Sequence, residues 1–277
     1  MFRFSNLARA GMAALVVTIA LPVLAAGGAR ISIKNITNGQ KVTSSSIPVQ
    51  VGVSGFKIEC KDVGKPGVPG QGHIHAMLDG MSMAQLTNLS CSDAFDISGT
   101  GVKPGKHTLA VVLADDAHMM VGKPAMAMFD YAPQEAKALP QPENNTEPSV
   151  RIISPKSGTI VGKKFDLVVA VNNFELSCDL EGKADVKGYG HLHVFVTQKG
   201  VTDKMHPMHK MSEKMGGGMG SSMMSMVGMI GMPCTKTVPV DLLTWHFGKA
   251  NVLVMLANND HMPTMGASAS SVSVTLK

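Results

Sequence analysis

Histidine recurs in this chain in a pattern able to hold a metal ion. Gly72-His73-Ile74-His75 is followed by His118, and Gly190-His191-Leu192-His193 is followed by His261. The two His-x-His pairs are 118 residues apart, as are Cys60 and Cys178, whereas His118 and His261 are 143 apart. The difference, 25 residues, lies inside the second copy, where Met205 to Met232 form a methionine-rich tract. Imidazole suits borderline cations and thioether suits soft ones, so the combination predicts soft-metal chemistry, with copper foremost.

Strand geometry makes the pairs useful. In His73-Ile74-His75-Ala76-Met77-Leu78-Asp79 the even and odd positions fall on opposite faces of a strand, so His73, His75, Met77 and Asp79 share one face and Ile74, Ala76 and Leu78 the other. In the second copy His191, His193 and Phe195 oppose Leu192, Val194 and Val196. Imidazoles at i and i+2 have Cα atoms roughly 6.5 to 7 Å apart, from which both rings reach one ion. A third ligand is expected from the end of a neighbouring strand. Leu109 to Ala114 runs into Asp115-Asp116-Ala117-His118-Met119, and Val252 to Ala257 into Asn258-Asn259-Asp260-His261-Met262. The expected imidazole ligands are therefore His73, His75 and His118 in one copy, and His191, His193 and His261 in the other. Met77, Met119 and Met262 are the expected supporting thioethers. Such a set suits Cu(I), admits Cu(II) if water or a carboxylate joins, and would accept zinc with a water.

The ordinary alternative is a polar strand face whose histidines only hydrogen-bond, with the recurrence inherited from the duplication. The matched downstream histidine favours ligation. His107 and His246 have no histidine counterpart in the other copy and read as surface residues. Asp115 and Asp116 read as turn residues or as groups orienting His118, and Asp79 as an orienting partner on the histidine face.

Met205, His206, Met208, His209 and Met211 open the methionine tract, which continues to Met232 diluted by Gly, Ser and Lys. Thioethers bind Cu(I) without needing a free thiolate, an advantage in an oxidising compartment. An amphipathic methionine-striped helix is the competing reading, but Gly216-Gly217-Gly218 and Gly220 oppose it, each interior glycine costing about 1 kcal/mol relative to alanine. A metal-catching loop over about 199–232 is expected.

The elements that must position these groups are legible as two repeats. Ile31-Ser32-Ile33, a turn at Asn38-Gly39, and Val49 to Val53 leading to Phe56 and Cys60 are answered by Arg151-Ile152-Ile153, Ser157-Gly158, and Leu167 to Val171 leading to Phe174 and Cys178. Short β-branched runs separated by Gly, Pro and Asn predict an all-β fold, two tandem immunoglobulin-like sandwiches. Domain one is expected over 26–131, domain two over 150–277, and residues 132–149, rich in Pro, Glu and Asn, as a linker. The cysteines fall as one pair per copy, so Cys60 is expected to bond Cys91 and Cys178 to bond Cys234.

Arg3 and Arg9, the apolar run Ala10 to Leu24, and Val23-Leu24-Ala25 have the pattern of a cleaved secretory leader over 1–25. A periplasmic or secreted location follows, with no membrane span after cleavage. Loss of two arginines takes the formal net charge of +5 to about +3, a weak bias, and no basic-aromatic motif supports nucleic-acid binding. No hydrolase or nucleotide-binding signature is present, so an enzyme is not expected.

Each half resembles a group of exported bacterial β-sandwich domains with a Gly-His-x-His strand and a later Gly-Lys-His-Thr strand ending in Asp-x-x-His. Gly105-Lys106-His107-Thr108 and Asp115-Asp116-Ala117-His118 match the later part; the second copy keeps Gly248-Lys249 but has Ala250-Asn251, and Asn258 for the aspartate. The methionine tract resembles those of periplasmic copper-resistance and copper-carrier proteins. These resemblances imply the sandwich fold and copper buffering or delivery, with copper ions and another periplasmic copper protein as partners. The Gly-His-x-His strand is also similar to that of copper-zinc superoxide dismutase, whose bridging histidine and zinc-loop ligands have no counterpart here; a dismutase-like mononuclear copper enzyme is thus a lesser alternative. A further alternative is an exported adhesion or assembly module with structural histidines and a methionine loop that docks a partner.

Overall fold

The computed structural model describes residues 28–142, 147–202, 227–264 and 269–277. The expected leader and most of the methionine tract, including Met205, His206, Met208, His209 and Met211, lie outside them. Among the described residues no helix is long and apolar enough to cross a membrane.

The first repeat folds as β1 (Arg30–Ile33), β2 (Gln40–Val42), β3 (Ser46–Ser54), β4 (Lys57–Ile58), β5 (Gln71–Leu78), β6 (Leu86–Ser90), β7 (Ala94–Ser98), β8 (Gly105–Asp115) and β9 (Met120–Tyr131). The second follows in the same order: β10 (Ser149–Ser154), β11 (Ile160–Val161), β12 (Lys164–Asn172), β13 (Glu175–Leu176), β14 (Tyr189–Thr197), β15 (Met229–Gly231), β16 (Thr237–Asp241), β17 (Gly248–Asn258) and β18 (Ser270–Leu276). Each forms an immunoglobulin-like sandwich. A small sheet, β1-β3-β7 or β10-β12-β16, faces a larger one, β2-β9-β8-β5-β4 with β6 on β5, or β11-β18-β17-β14-β13 with β15 on β14.

Alternation decides which side chains fill each sandwich. Ile74, Ala76 and Leu78 of β5 pack with Leu109, Val111 and Leu113 of β8 and Ile47 and Val49 of β3. In the second sandwich Leu192, Val194 and Val196 pack with Val252, Val254 and Leu256 around Trp245. Burying an aliphatic side chain of this size contributes about 1.5–3 kcal/mol, which makes the register of these strands hard to slip.

Both disulfides form as expected, Cys60–Cys91 and Cys178–Cys234, closing loops of 31 and 56 residues separation. Each contributes roughly 4 kcal/mol by loss of unfolded-chain entropy. They also brace the histidine strand: β4 and β6 share one edge of β5, with Ile58 opposite Gly72 and Ser90 opposite Ile74, and the cysteines just beyond join them. Two disulfides and no free cysteine fit an exported chain matured in an oxidising compartment.

The opposite face of β5 is buried as well, because the two large sheets pack against each other. Met77, Leu86, Ala110 and Val112 of the first sandwich, and Phe195, Met229 and Met255 of the second, form two clusters that both contact Met232. Hydrogen bonds to main-chain carbonyls lock the seam: Gly228 N–H donates to the Gly64 carbonyl, Lys65 Nζ to Thr244 O at 3.2 Å, and Thr244 Oγ1 to Lys61 O at 3.1 Å. The 25-residue surplus falls between Thr197, equivalent to Asp79, and Met229, equivalent to Leu86. Met229, in β15, and Met232 just after it, the end of the methionine tract, are thus part of the seam.

A candidate metal centre in each sandwich

β5 lifts His73 and His75 from the seam-facing side of the sheet, with Ala114 and Val112 of β8 beside them in register. The small Ala114 leaves room for a third ring. After β8 the chain reverses through Asp115-Asp116-Ala117, closed by His118 N–H to Asp115 O at 2.9 Å and Asp115 N–H to Met119 O at 2.9 Å. This turn swings His118 back over the pair. The second sandwich repeats it: His191 and His193 lie beside Ala257 and Met255, and His261 N–H bonds Asn258 O at 2.9 Å. His118 and His261 have φ of 63° and 65°, a left-handed conformation that costs a non-glycine residue about 1–3 kcal/mol and that surrounding structure must enforce. Gly72 and Gly190, directly before each pair, are required for close approach: a Cβ at either would overlap the carbonyl of Ala114 or Ala257.

In the first triad, His73 Nε2, His75 Nε2 and His118 Nδ1 are separated by 2.8, 3.1 and 3.4 Å. A point roughly 1.8 Å from all three exists, close to the metal–nitrogen distance of about 2.0 Å, so these three nitrogens could hold one ion. Ring centroids 4.8, 4.7 and 5.7 Å apart are matched in the second triad by 4.9, 4.6 and 5.8 Å. There His191 Nε2 and His193 Nε2 are 3.0 Å apart.

Tautomers follow from the partners. His118 Nε2 lies 3.1 Å from Met229 O, and His261 Nε2 lies 2.7 Å from Leu86 O. A carbonyl cannot donate, so these nitrogens carry the proton and Nδ1 of each ring is a bare lone pair. All six rings are at most 3 % exposed. Burial first, and then the neighbouring imidazoles, hold His73 and His191 well below the usual range and His75 and His193 at about 3. Burial also takes His118 to about 4, against the opposing pull of the Met229 carbonyl and Asp115, and lowers His261.

Six neutral imidazoles thus face inward with no arrangement of protons that pairs them all, and among the described residues Nδ1 of His73, His75 and His191 is buried without a hydrogen-bond partner. One lone pair on His118 Nδ1 takes one hydrogen bond, so every distribution of protons on His73 and His75 leaves an inward nitrogen unmatched. Among the described residues His261 Nδ1 is likewise buried with no hydrogen-bond partner. Buried unmatched polar atoms cost about 1–3 kcal/mol each; a single cation at the centre satisfies three lone pairs together. The donor set, neutral nitrogen without oxygen, suits Cu(I) and zinc and not a hard cation.

Other expected site residues fall elsewhere. Met77 is buried on the histidine face, but Phe195 replaces it in the second copy. Met119 and Met262 are 38 % and 58 % exposed, unlike the buried rings. Asp79 does not orient the triad: its Oδ2 is 2.6 Å from His107 Nδ1, and its Oδ1 accepts from Thr108 N–H at 2.9 Å. His107, expected at the surface, is instead held between Asp79 and Lys103 O, 2.7 Å from its Nε2. Asp115 caps the turn, accepting from Ala117 and Met119 N–H at 2.9 Å each. Asp116 accepts from Val68 N–H and Gln71 Nε2 rather than from His118.

The groups that the sequence did not single out are the main-chain carbonyls of Leu86 and Met229, and Gly64 and Gly182, which let those carbonyls approach. A Cβ on Gly64 would stand 2.8 Å from Met229 O, and one on Gly182 2.6 Å from Leu86 O. A signal did exist: both glycines stand four residues after the first cysteine of their copy, each followed by lysine.

No protein-family model matches the chain, and no curated protein matches it. Among solved structures it is similar to the three N-terminal domains of the Highly Immunogenic Outer Capsid protein of bacteriophage RB49, at 14 % identity over 90 % of this chain and 58 % of that one, TM-score 0.20. It is also similar to a tetra-tandem repeat from the extending region of a large adhesion protein, at 12 % identity over 90 % and 48 %, TM-score 0.23. A structure addressing Dscam isoform specificity matches at 9 % identity over 91 % and 47 %, TM-score 0.22. The chain spans about half the length of these proteins. At such scores the likenesses bear on no functional reading.

Proposed function

We propose that this protein binds copper in an exported compartment, holding one Cu(I) in each histidine triad and buffering or delivering it. The observation that carries the reading is the His73 Nε2, His75 Nε2 and His118 Nδ1 triangle, 2.8 to 3.4 Å on its edges and built from buried, neutral rings. Its repetition by His191, His193 and His261 supports the same reading. Cu(I) is favoured over zinc or Cu(II) because the site is buried and uncharged, and the cost of burying an ion rises steeply with its charge. Met77 is proposed as a nearby thioether in the first site only. The methionine tract, whose far end joins the seam at Met229, is proposed to capture Cu(I) from solution or from another periplasmic copper protein.

A Cu(I) competition titration of the oxidised chain against a coloured chelator tests this. Tight binding of two equivalents, one lost in His73→Ala and the other in His191→Ala, is the expected result. Absence of competition would sink the reading and leave an exported adhesion or assembly module, with histidines that serve packing alone. Dismutase-like turnover, the enzymatic alternative, would require an open coordination position, and the burial of all six rings disfavours it.

A further inference from the structure

Just after the first cysteine the two copies place different chemistry at equivalent buried positions, Asp62 against Leu180 and Val63 against Glu181. Cys60-Lys61-Asp62-Val63-Gly64-Lys65 aligns with Cys178-Asp179-Leu180-Glu181-Gly182-Lys183 at the repeat spacing. Val63 is 7 % exposed and Glu181 8 %, so a carboxyl occupies an interior place that the other copy fills with an aliphatic side chain. Its Oε1 lies 3.5 Å from Cys234 Sγ. Burial pushes the Glu181 carboxyl up to about 8, so it holds its proton at neutral pH. A disulfide sulfur has no hydrogen, and the contact therefore runs from the carboxyl O–H to sulfur. Cys178, by contrast, is exposed, and with Asp179 and Glu181 it lines an open cleft of about 820 Å³ where the sandwiches meet.

We propose that Cys178–Cys234 is a thiol-exchange site for an external dithiol, with Glu181 as the proton donor to the leaving Cys234 sulfur. A thiolate of the dithiol attacks Cys178 Sγ from the cleft, forming a mixed disulfide and breaking the Cys178–Cys234 bond. The electron pair of that bond goes to Cys234 Sγ, which takes the Glu181 proton 3.5 Å away. The second thiol of the reagent, as thiolate, then attacks its own sulfur in the mixed disulfide and releases Cys178 as thiolate; the two protons lost by the dithiol restore Glu181 and protonate Cys178. Two electrons pass from dithiol to protein, yielding two protein thiols and one oxidised dithiol. Cys60–Cys91 serves as an internal reference, because Val63 has no proton to give and the buried Asp62 carboxylate is engaged by Lys65 Nζ at 2.6 Å and Gln71 Nε2 at 2.9 Å.

The test is reduction of the full oxidised chain by dithiothreitol at pH 7 without denaturant, with timed alkylation and peptide mapping of the four cysteines. Cys178–Cys234 is expected to open about tenfold or more faster than Cys60–Cys91. Glu181→Gln, which keeps the side-chain shape, and Glu181→Val, which copies the other repeat, are expected to bring the ratio down toward one. A purely structural Glu181 predicts the opposite sign, since loosening the site would speed reduction. Equal rates in the parent chain, or a ratio that the variants leave unchanged or raise, would overturn the assignment.

Discussion

His118 of the first sandwich donates from Nε2 to the carbonyl of Met229 in the second, 3.1 Å away. The reciprocal bond, His261 Nε2 to Leu86 O at 2.7 Å, uses the equivalent residues, for Leu86 and Met229 are separated by the same 143 positions as His118 and His261. Equivalent patches touching each other in exchange are the signature of a two-fold-like, isologous interface. Each triad is consequently incomplete without the other sandwich: the tautomer that aims its third lone pair inward is set by a carbonyl across the seam. The rings also feel one another, His261 helping to depress His75 and His118 helping to depress His193.

Gly64→Val tests that dependence. The new side chain meets the Met229 carbonyl in a position with φ of +90°, so the seam must open. Stability is expected to fall by about 1–3 kcal/mol in urea unfolding, and Cu(I) affinity to fall more at the His118 triad than at the His261 triad. Equal affinities at both sites would detach the triads from the seam.

The thioethers make a sharper contrast. Met119→Leu and Met262→Leu change exposed side chains and are expected to leave Cu(I) affinity unaltered within about twofold. Met77→Leu conserves volume and is expected to cost less than about 1.5 kcal/mol of stability, while weakening the first site alone if its sulfur assists. Competition titration of the three variants reads both points.

Acidification should destabilise the metal-free protein in a defined window. An unfolded imidazole takes up a proton near pH 6.5, whereas in the fold His118 does so at about 4 and His75 and His193 at about 3. Between those values the unfolded chain binds more protons. Stability is therefore full above about pH 6.5 and lost as pH falls toward 3–4, by about 1.4 kcal/mol per pH unit for each imidazole. Thermal unfolding followed from pH 7.5 to 4 should show a steep decline that His75→Leu plus His193→Leu makes shallower. A flat profile would mean that the rings are not buried as neutral groups.

Metal should stabilise the folded state by mass action. At a free Cu(I) concentration about 100 times the dissociation constant, each occupied site contributes about 2.7 kcal/mol. For a chain of this size that raises Tm by about 5–10 °C per site. Scanning calorimetry with buffered Cu(I), then with excess chelator, should show the rise and its reversal, and His118→Ala should halve it.

The strands, the cysteine pairing and the grouping of the histidines were legible in the residues, because each follows from local rules. Period-two alternation sends Ile74, Ala76 and Leu78 into the core and leaves His73 and His75 on the other face, whatever lies beyond it. One cysteine pair per repeat left little choice of partners. What covers the histidine face depends on long-range packing. A strand face with two imidazoles reads as solvated, and only the packing of two large sheets through Met77, Met229, Met232 and Met255 turns it into a buried, proton-poor site. The same packing explains why Asp79 serves His107 rather than the triad, and why the acceptors for His118 and His261 are carbonyls of Met229 and Leu86. Main-chain oxygens are present in every residue, so no pattern of side chains could have announced them.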